Sequence, residues 1–537
     1  QTNHANPKED QCIKCGNVNT DQILQIIEAK VVDEHGKMTR TRRVTPAEWA
    51  EKFVQSGAVS IRREDVKKQE IPRNNFNIPG IFKQSVIFLT RDILSKLADK
   101  QYILISLLGS PVLAFFLAYF TRSARGDIYH FSENDNIPAY LFMAVITSLF
   151  FGLMLSSEEI IKDRKILKRE AFLNLSWFSY LNSKIMIMFI LSAIQTLSFA
   201  IIGNAVLGIK GMTLSYWLVL FTTSCFGNIL GLNISSVLNS VITVYIIIPF
   251  IIIPQLLFSG VLVKFDKLHI NSKSAHEFVP VIGDVMTARW SFEALAVKQF
   301  RDNRYERNFF VHDMAESQNN YYSSFLIDEL NRELYVCNLY RDSSNYRNSV
   351  LNSFERLRFH IGELSEISGI SPGSWRDSIS LELSGSSVEK KAAAYLATLK
   401  KYFTDRQKEA RLARDTVSRS LLDRYGEEKM LEMRNNYENK QIKRIVLDAD
   451  NLDKTYRLPG KIVQKADPGY MVAAARNGRA HFYAPCKRLG NLKIDTYFFN
   501  IMVIWLESIV LYFTLYTNIF RKLFTFIGSL RRDMTET

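Results

Sequence analysis

Apolar residues gather in two zones of the chain, roughly 102–263 and 496–519, with charged and polar sequence on either side. A membrane-crossing helix needs about 20 mainly apolar residues, because a rise of about 1.5 Å per residue must cover about 30 Å of hydrocarbon. That length predicts five spans in the first zone, at 102–120, 138–156, 185–207, 214–238 and 241–263, and a sixth at 496–518. The fourth stretch carries Thr222, Thr223, Ser224, Asn228 and Asn233, which need partners inside a helix bundle rather than contact with lipid.

Basic residues orient these spans. Lys162, Arg164, Lys165, Lys168, Arg169 and Lys184 lie between the second and third, and Arg521, Lys522, Arg531 and Arg532 follow the sixth. Both groups are expected in the cytoplasm. Alternation then sends the loop 121–137 and the whole stretch 264–495 to the outer side. About 230 residues are too many for a connecting loop, so a domain is expected there. Within it, 388–445 has few helix breakers, and Tyr395, Leu396, Leu399, Tyr402 and Phe403 recur at helical spacing. This pattern predicts a long amphipathic helix, with 313–362 as its partner in a helical hairpin.

The formal charge of +14 over 537 residues changes little in this picture. Cytoplasmic Lys and Arg beside the spans, facing anionic lipid headgroups, account for it, and nucleic-acid binding is not expected. The cysteines, 5 in all, are too few for a disulfide scaffold. Cys337 and Cys486 both fall in the outer stretch, where an oxidising compartment would allow them to pair. Cys12 and Cys15, followed by Gly16, have the spacing of half a zinc ribbon. No Asn-x-Ser/Thr acceptor occurs between 264 and 495, which favours a bacterial inner membrane over a eukaryotic cell surface. The chain opens at Gln1 with no leader-like sequence, so a fragment or processed product is expected.

The charged run Glu158-Glu159-Ile160-Ile161-Lys162-Asp163-Arg164-Lys165-Ile166-Leu167-Lys168-Arg169-Glu170, followed by Tyr180-Leu181-Asn182-Ser183-Lys184, resembles the connecting helix of White-type (G-subfamily) ABC exporters. Residues 82–101, with Thr90-Arg91-Asp92 and Asp99-Lys100, look like the interfacial helix that precedes the first span in that family. Trp290-Ser291-Phe292-Glu293-Ala294-Leu295 is similar to its aromatic-x-Phe-Glu-Ala-Leu segment, which returns from the outer face toward the bilayer. The resemblance covers roughly 80–300 and 490–525, and the insertion 301–490 departs from it. With the span pattern and the basic residues, it predicts a mainly α, polytopic membrane protein with six transmembrane helices and an interfacial connecting helix, and the length and polarity of the stretch after span five add a large helical extracytoplasmic insertion between spans five and six. The expected domains are 1–79, a cytoplasmic linker; 80–300, the interfacial helix, spans one to five and a re-entrant segment; 301–490, the insertion; and 491–537, span six with its basic tail.

It also implies a permease, acting as a homodimer among membrane lipids, driven by a nucleotide-binding domain that holds ATP and Mg. No phosphate loop ending in Gly-Lys-Ser/Thr occurs in this chain, so that domain is expected outside it, in cis or in trans. Glu159, Arg164, Arg169, Glu170 and Tyr180 match the segment that couples to the ATPase, and the second and fifth spans offer Phe142, Thr147, Phe151, Tyr245, Phe250 and Gln255 to the substrate path. Glu507 sits near the middle of the sixth span, where a carboxylate must face protein; it is either a substrate or coupling contact or a structural hydrogen bond to a neighbour such as Gln195 or Asn228. The rival expectation is a membrane-anchored scaffold or sensor whose outer domain binds a periplasmic partner.

Overall fold

A computed structural model describes residues 24, 26–32, 34, 38–56, 79–123, 129–170, 175–269, 276–341, 344–379 and 386–526. The chain divides into two units, Gln1–Asn77 and Ile78–Thr537. In the first, strands β1 (Lys30–Val32) and β2 (Met38–Arg42) pair antiparallel. Helix α1 (Pro46–Gln55) follows, its start fixed by a reciprocal capping box between Thr45 and Glu48. Cys12 and Cys15 lie outside the described residues.

The second unit begins with α2 (Ile81–Ala98) and α3 (Lys100–Thr121), separated only by Asp99, whose carboxylate caps α3 by accepting from the Tyr102 amide. Then come α4 (Ile137–Ser156), the charged α5 (Glu159–Arg169), α6 (Trp177–Leu207), α7 (Thr213–Val237) and α8 (Val241–Leu257). The last apolar helix is α16 (Thr496–Tyr516). Among the described residues, 5 helices are long and apolar enough to cross a membrane: α3, α4 with its extension into α5, α6, α7 and α16. Helix α8 holds the expected fifth span, but at 17 residues with Pro249 and Pro254 inside it is shorter than the others, and the chain leaves the helix at Phe258.

Helices α4 and α7 form the tightest pair of the bundle. Glycines make this possible: a Cβ added at Gly227 would stand 2.7 Å from the Leu149 carbonyl oxygen, and one at Gly152 would collide with the Ser224 carbonyl. Small residues let backbones approach where lipid supplies no hydrophobic driving force. The polar residues of α7 find their partners here. Ser224 and Asn228 donate to the Ser192 hydroxyl at 2.9 and 2.7 Å, Asn233 donates to the Leu511 carbonyl at 2.9 Å, and the Thr223 and Ser291 hydroxyls lie 2.7 Å apart.

After α8 the chain enters α9 (Thr287–Arg301), which packs between α16, α4 and α7. The insertion continues with α10 (Phe310–Asn320), whose Phe310 and Met314 pack on the first core, and forms a second core from α11 (Ile327–Tyr340), α12 (Arg347–Ser368) and the 40-residue α13 (Ser386–Tyr425), joined through Leu330, Leu357, Ile361, Leu396, Leu399 and Phe403. The long helix predicted over 388–445 is broken. Gly426 at φ 78° ends α13, and α14 (Glu427–Tyr437) and α15 (Lys440–Val446) follow. Two antiparallel hairpins complete the insertion: β3 (Thr455–Leu458) with β4 (Lys461–Gln464), and β5 (Cys486–Leu489) with β6 (Leu492–Asp495). Their turns, Pro459-Gly460 and Gly490-Asn491, place a glycine at positive φ as tight hairpins require.

The Asn439 side chain donates to the Phe131 and Asn134 carbonyls at 2.8 and 3.0 Å, so the insertion and the loop joining α3 to α4 share one end of the bundle. The expected Cys337–Cys486 disulfide is corrected here, because both are free thiols. Cys337 is buried in the core of the helical insertion beside Leu334 and Leu357, whereas Cys486 lies on β5 in the hairpin leading into α16.

Candidate coupling site and translocation path

Helix α5 follows α4 after a turn at Ser157 and Glu158, and its charges suit its direction: Glu159 opens it, and Lys168 and Arg169 close it. Its buried face rests on α7, where the Ser235 hydroxyl accepts from the Ile160 and Ile161 amides at 3.1 and 3.2 Å. Glu159 is almost wholly buried and receives Lys96 of α2 at 2.5 Å and Lys184 of α6 at 2.9 Å. The Lys184 ammonium also lies 2.6 Å from Asp92 and 2.9 Å from Asp163, and the Tyr180 hydroxyl donates to Asp163 at 3.0 Å. One lysine thus ties three helices together. Opposite charges shielded from water attract far more strongly than at a surface, and the cluster fixes α5 against α2 and α6.

Arg164 reaches in the other direction. Its guanidinium donates to the carbonyls of Ser235, Ser236 and Leu238 at 3.3, 3.2 and 2.8 Å, and also to Asn239. It satisfies the carbonyls that the C-terminal end of α7 leaves open, with a positive charge at the negative end of the helix dipole. Glu170 pairs with Arg91 of α2 at 3.0 Å, while Arg169 is exposed. Of the five coupling residues expected from the sequence, Glu159, Arg164, Glu170 and Tyr180 are therefore held in contacts to neighbouring elements, and Arg169 points outward. Asp92 and Asp163 stood in the quoted motifs without a coupling role, and Lys96 and Ser235, which complete the cluster, were not singled out by sequence.

The path residues do not line a single slot within this chain. Phe142 meets Phe292 edge-on at 5.7 Å, Gln255 accepts from the Ala288 amide at 2.9 Å, and Glu507 accepts from the Thr287 hydroxyl at 2.8 Å. All three converge on α9. Neither Gln195 nor Asn228 is the partner of Glu507; Gln195 donates to the Ser106 carbonyl. Thr147 is buried, Phe151 is half-buried, and Tyr245 and Phe250 are exposed along α8, with the Tyr245 hydroxyl donating to Glu158.

Helix α9 is pinned by a polar network that sequence did not reveal. Glu293 accepts from Lys487 at 2.7 Å, from Asn500 at 2.8 Å and from the Tyr483 amide at 3.1 Å, and Lys487 also reaches Asn500 at 2.8 Å. The Lys487 ammonium stands 4.2 Å from the centre of the Trp290 ring, and the Arg289 guanidinium 3.8 Å. The aromatic-x-Phe-Glu-Ala-Leu segment is thus locked to the β5 hairpin and α16 through its glutamate.

Residues 83–299 match the family model described as ABC-2 type transporter. Comparison with curated proteins finds no match. The matched stretch runs from α2 to α9 and contains the whole Lys184 cluster. That stretch is similar to the membrane domain of ABC-2 type transporters, and the described residues around it form a multi-pass helical membrane domain.

Proposed function

We propose that this chain, with its ABC-2 type membrane domain, is the permease portion of an ATP-driven exporter of the White (G-subfamily) type. A nucleotide-binding domain outside residues 1–537 would hold ATP and Mg, and two copies of the chain would form the translocation path in the membrane. The observation that carries the reading is the Lys184 cluster. Helix α5 offers exposed Lys165, Lys168 and Arg169 to a partner while its other face is bound to α2, α6 and the end of α7. A push on α5 must therefore move these helices as a unit, which is what alternating access requires.

In this reading α5 faces the cytoplasm and the insertion faces outward, where it is available to a periplasmic partner. Phe250 and Tyr245 stay exposed on α8 and would line a slot between copies, a surface suited to amphipathic cargo. The test is ATP hydrolysis and transport by the complete transporter in lipid, with Lys165→Glu and Arg169→Glu combined. Both side chains are exposed, so folding should be unaffected. Coupled turnover should fall by about tenfold, the usual scale of an inter-site coupling. Unchanged turnover would remove the lever and favour the scaffold or sensor reading.

A further inference from the structure

We infer that the cleft between the chain following α8, the end of α15 and the segment that joins the two β-hairpins is a binding site for a small anionic amphiphile, with Lys465 receiving its head group. The inference concerns the opposite end of the bundle from α5 and does not rest on the transport reading. The cavity measures about 300 Å³, within the range of small-molecule sites. Its apolar wall is built of Phe265, Phe278, Phe482 and Tyr483, with Met471 beside them.

These walls are set before any ligand arrives. Phe265 meets Phe482 edge-on at 5.3 Å, and a Cβ added at Gly283 would come within 2.7 Å of the Phe265 ring, so the glycine is what lets the ring lie there.

Most charges around the cleft are paired, while Asp266 lies exposed at its rim. Lys264 pairs with Asp448 at 2.6 Å, Arg444 with Asp450 at 2.6 Å, and Glu277 with Lys461. His481 faces the Pro468 carbonyl at 2.9 Å, and burial pushes its pKa down to about 4, so it brings no charge. Lys465 differs. Among the described residues no carboxylate lies within ion-pair distance of it and its side chain makes no hydrogen bond, although its amide is anchored to the Lys454 carbonyl at 3.0 Å just beyond β4. Burial pushes its pKa down, and the charges of Asp266 and Asp448 offset the effect only in part.

A half-buried ammonium without an ion-pair partner carries a desolvation cost, which an anionic head group would relieve. The aromatic walls would cover an apolar body at the same time. A neutral amphiphile could satisfy only the walls, and a cationic one would be repelled. A free fatty acid and an anionic lysophospholipid share this chemistry.

The experiment is a fluorescence titration of the full chain, in nanodiscs of neutral phosphatidylcholine, with 11-(dansylamino)undecanoic acid and with its methyl ester. The acid should bind saturably, and at least about tenfold more tightly than the ester, as expected for a charge-assisted hydrogen bond in a shielded site. Lys465→Met should weaken the acid by about the same factor and leave the ester unchanged, while Lys465→Arg should retain the preference. Equal binding of acid and ester by the unaltered protein, or undiminished acid binding by Lys465→Met, overturns the site. Should Lys465→Met fail to fold, the acid-to-ester ratio of the unaltered protein and of Lys465→Arg decides. Displacement of the probe by oleate, by lysophosphatidylglycerol or by both supports the site and assigns its source; displacement by neither overturns it.

Discussion

The Lys184 ammonium lies 2.9 Å from the Glu159 carboxylate, with the two side chains only 5% and 7% exposed, and the contact joins the charged helix α5 to the base of the α6 span. Lys184 reaches the three carboxylates of Asp92, Glu159 and Asp163, and Lys96 shares only Glu159 with it. Removing Lys184 should cost more than any surface pair nearby.

Lys184→Met is expected to lower stability by about 3 kcal/mol, because unpaired buried carboxylates remain. Arg91→Ala, which breaks the more exposed pair with Glu170, should cost less than about 1 kcal/mol. Thermal unfolding of the two variants in one detergent checks the contrast, and equal losses would show that the cluster is not the clamp.

Gly227→Val should disrupt the α4–α7 pair, since its side chain would press on the Leu149 backbone. Overpacking of this kind costs about 1–3 kcal/mol, and the expected outcome is a lower melting temperature and reduced yield in membranes. Gly80→Ala, where a Cβ meets nothing, is the control and should behave as the parent chain.

Glu306 gives the insertion a pH dependence. Burial, with the Glu438 carboxylate adding to it against the pull of Lys443, raises its pKa to about 7. A raised carboxyl pKa means that the folded state holds the proton more tightly than the unfolded chain. Stability is therefore fully present below about pH 4.5 and is lost as pH rises through about 7. Glu306→Gln should flatten this part of the melting curve and raise the melting temperature most at pH 8. A gain that is the same at pH 5 and pH 8 would contradict the assignment.

Much of the membrane part could be read from the chain. Spans of this length have few alternatives, and the polar residues of α7 did find partners within the bundle, as their cost in lipid demanded. Helix α5 was visible because charge and periodicity coincide in it. Its clamp was not, since Asp92, Lys96 and Lys184 are far from Glu159 in sequence and look like ordinary interfacial charges. The hairpins β3–β4 and β5–β6 were hidden by strands of 4 residues each, too short to show an alternating pattern, although Pro459-Gly460 and Gly490-Asn491 marked their turns. Lys487 gave no signal at all: a lysine in a polar stretch looks solvated, and only the fold shows it enclosed with Glu293 and Asn500.

Cys337 and Cys486 should both react with maleimide in denaturant without prior reduction, and the chain should migrate identically with and without reductant. A mobility shift that Cys337→Ser abolishes would restore the disulfide.

The central claim places the basic face of α5 in the cytosol and the insertion on the other side of the membrane. Single cysteines at exposed Lys165 and Lys390, in a chain otherwise free of reactive thiols, test it with a membrane-impermeant maleimide. Lys165→Cys should label only in inverted vesicles and Lys390→Cys only from outside intact cells. Labelling of both positions from one side, or the reverse pattern, would contradict the topology and with it the role of α5.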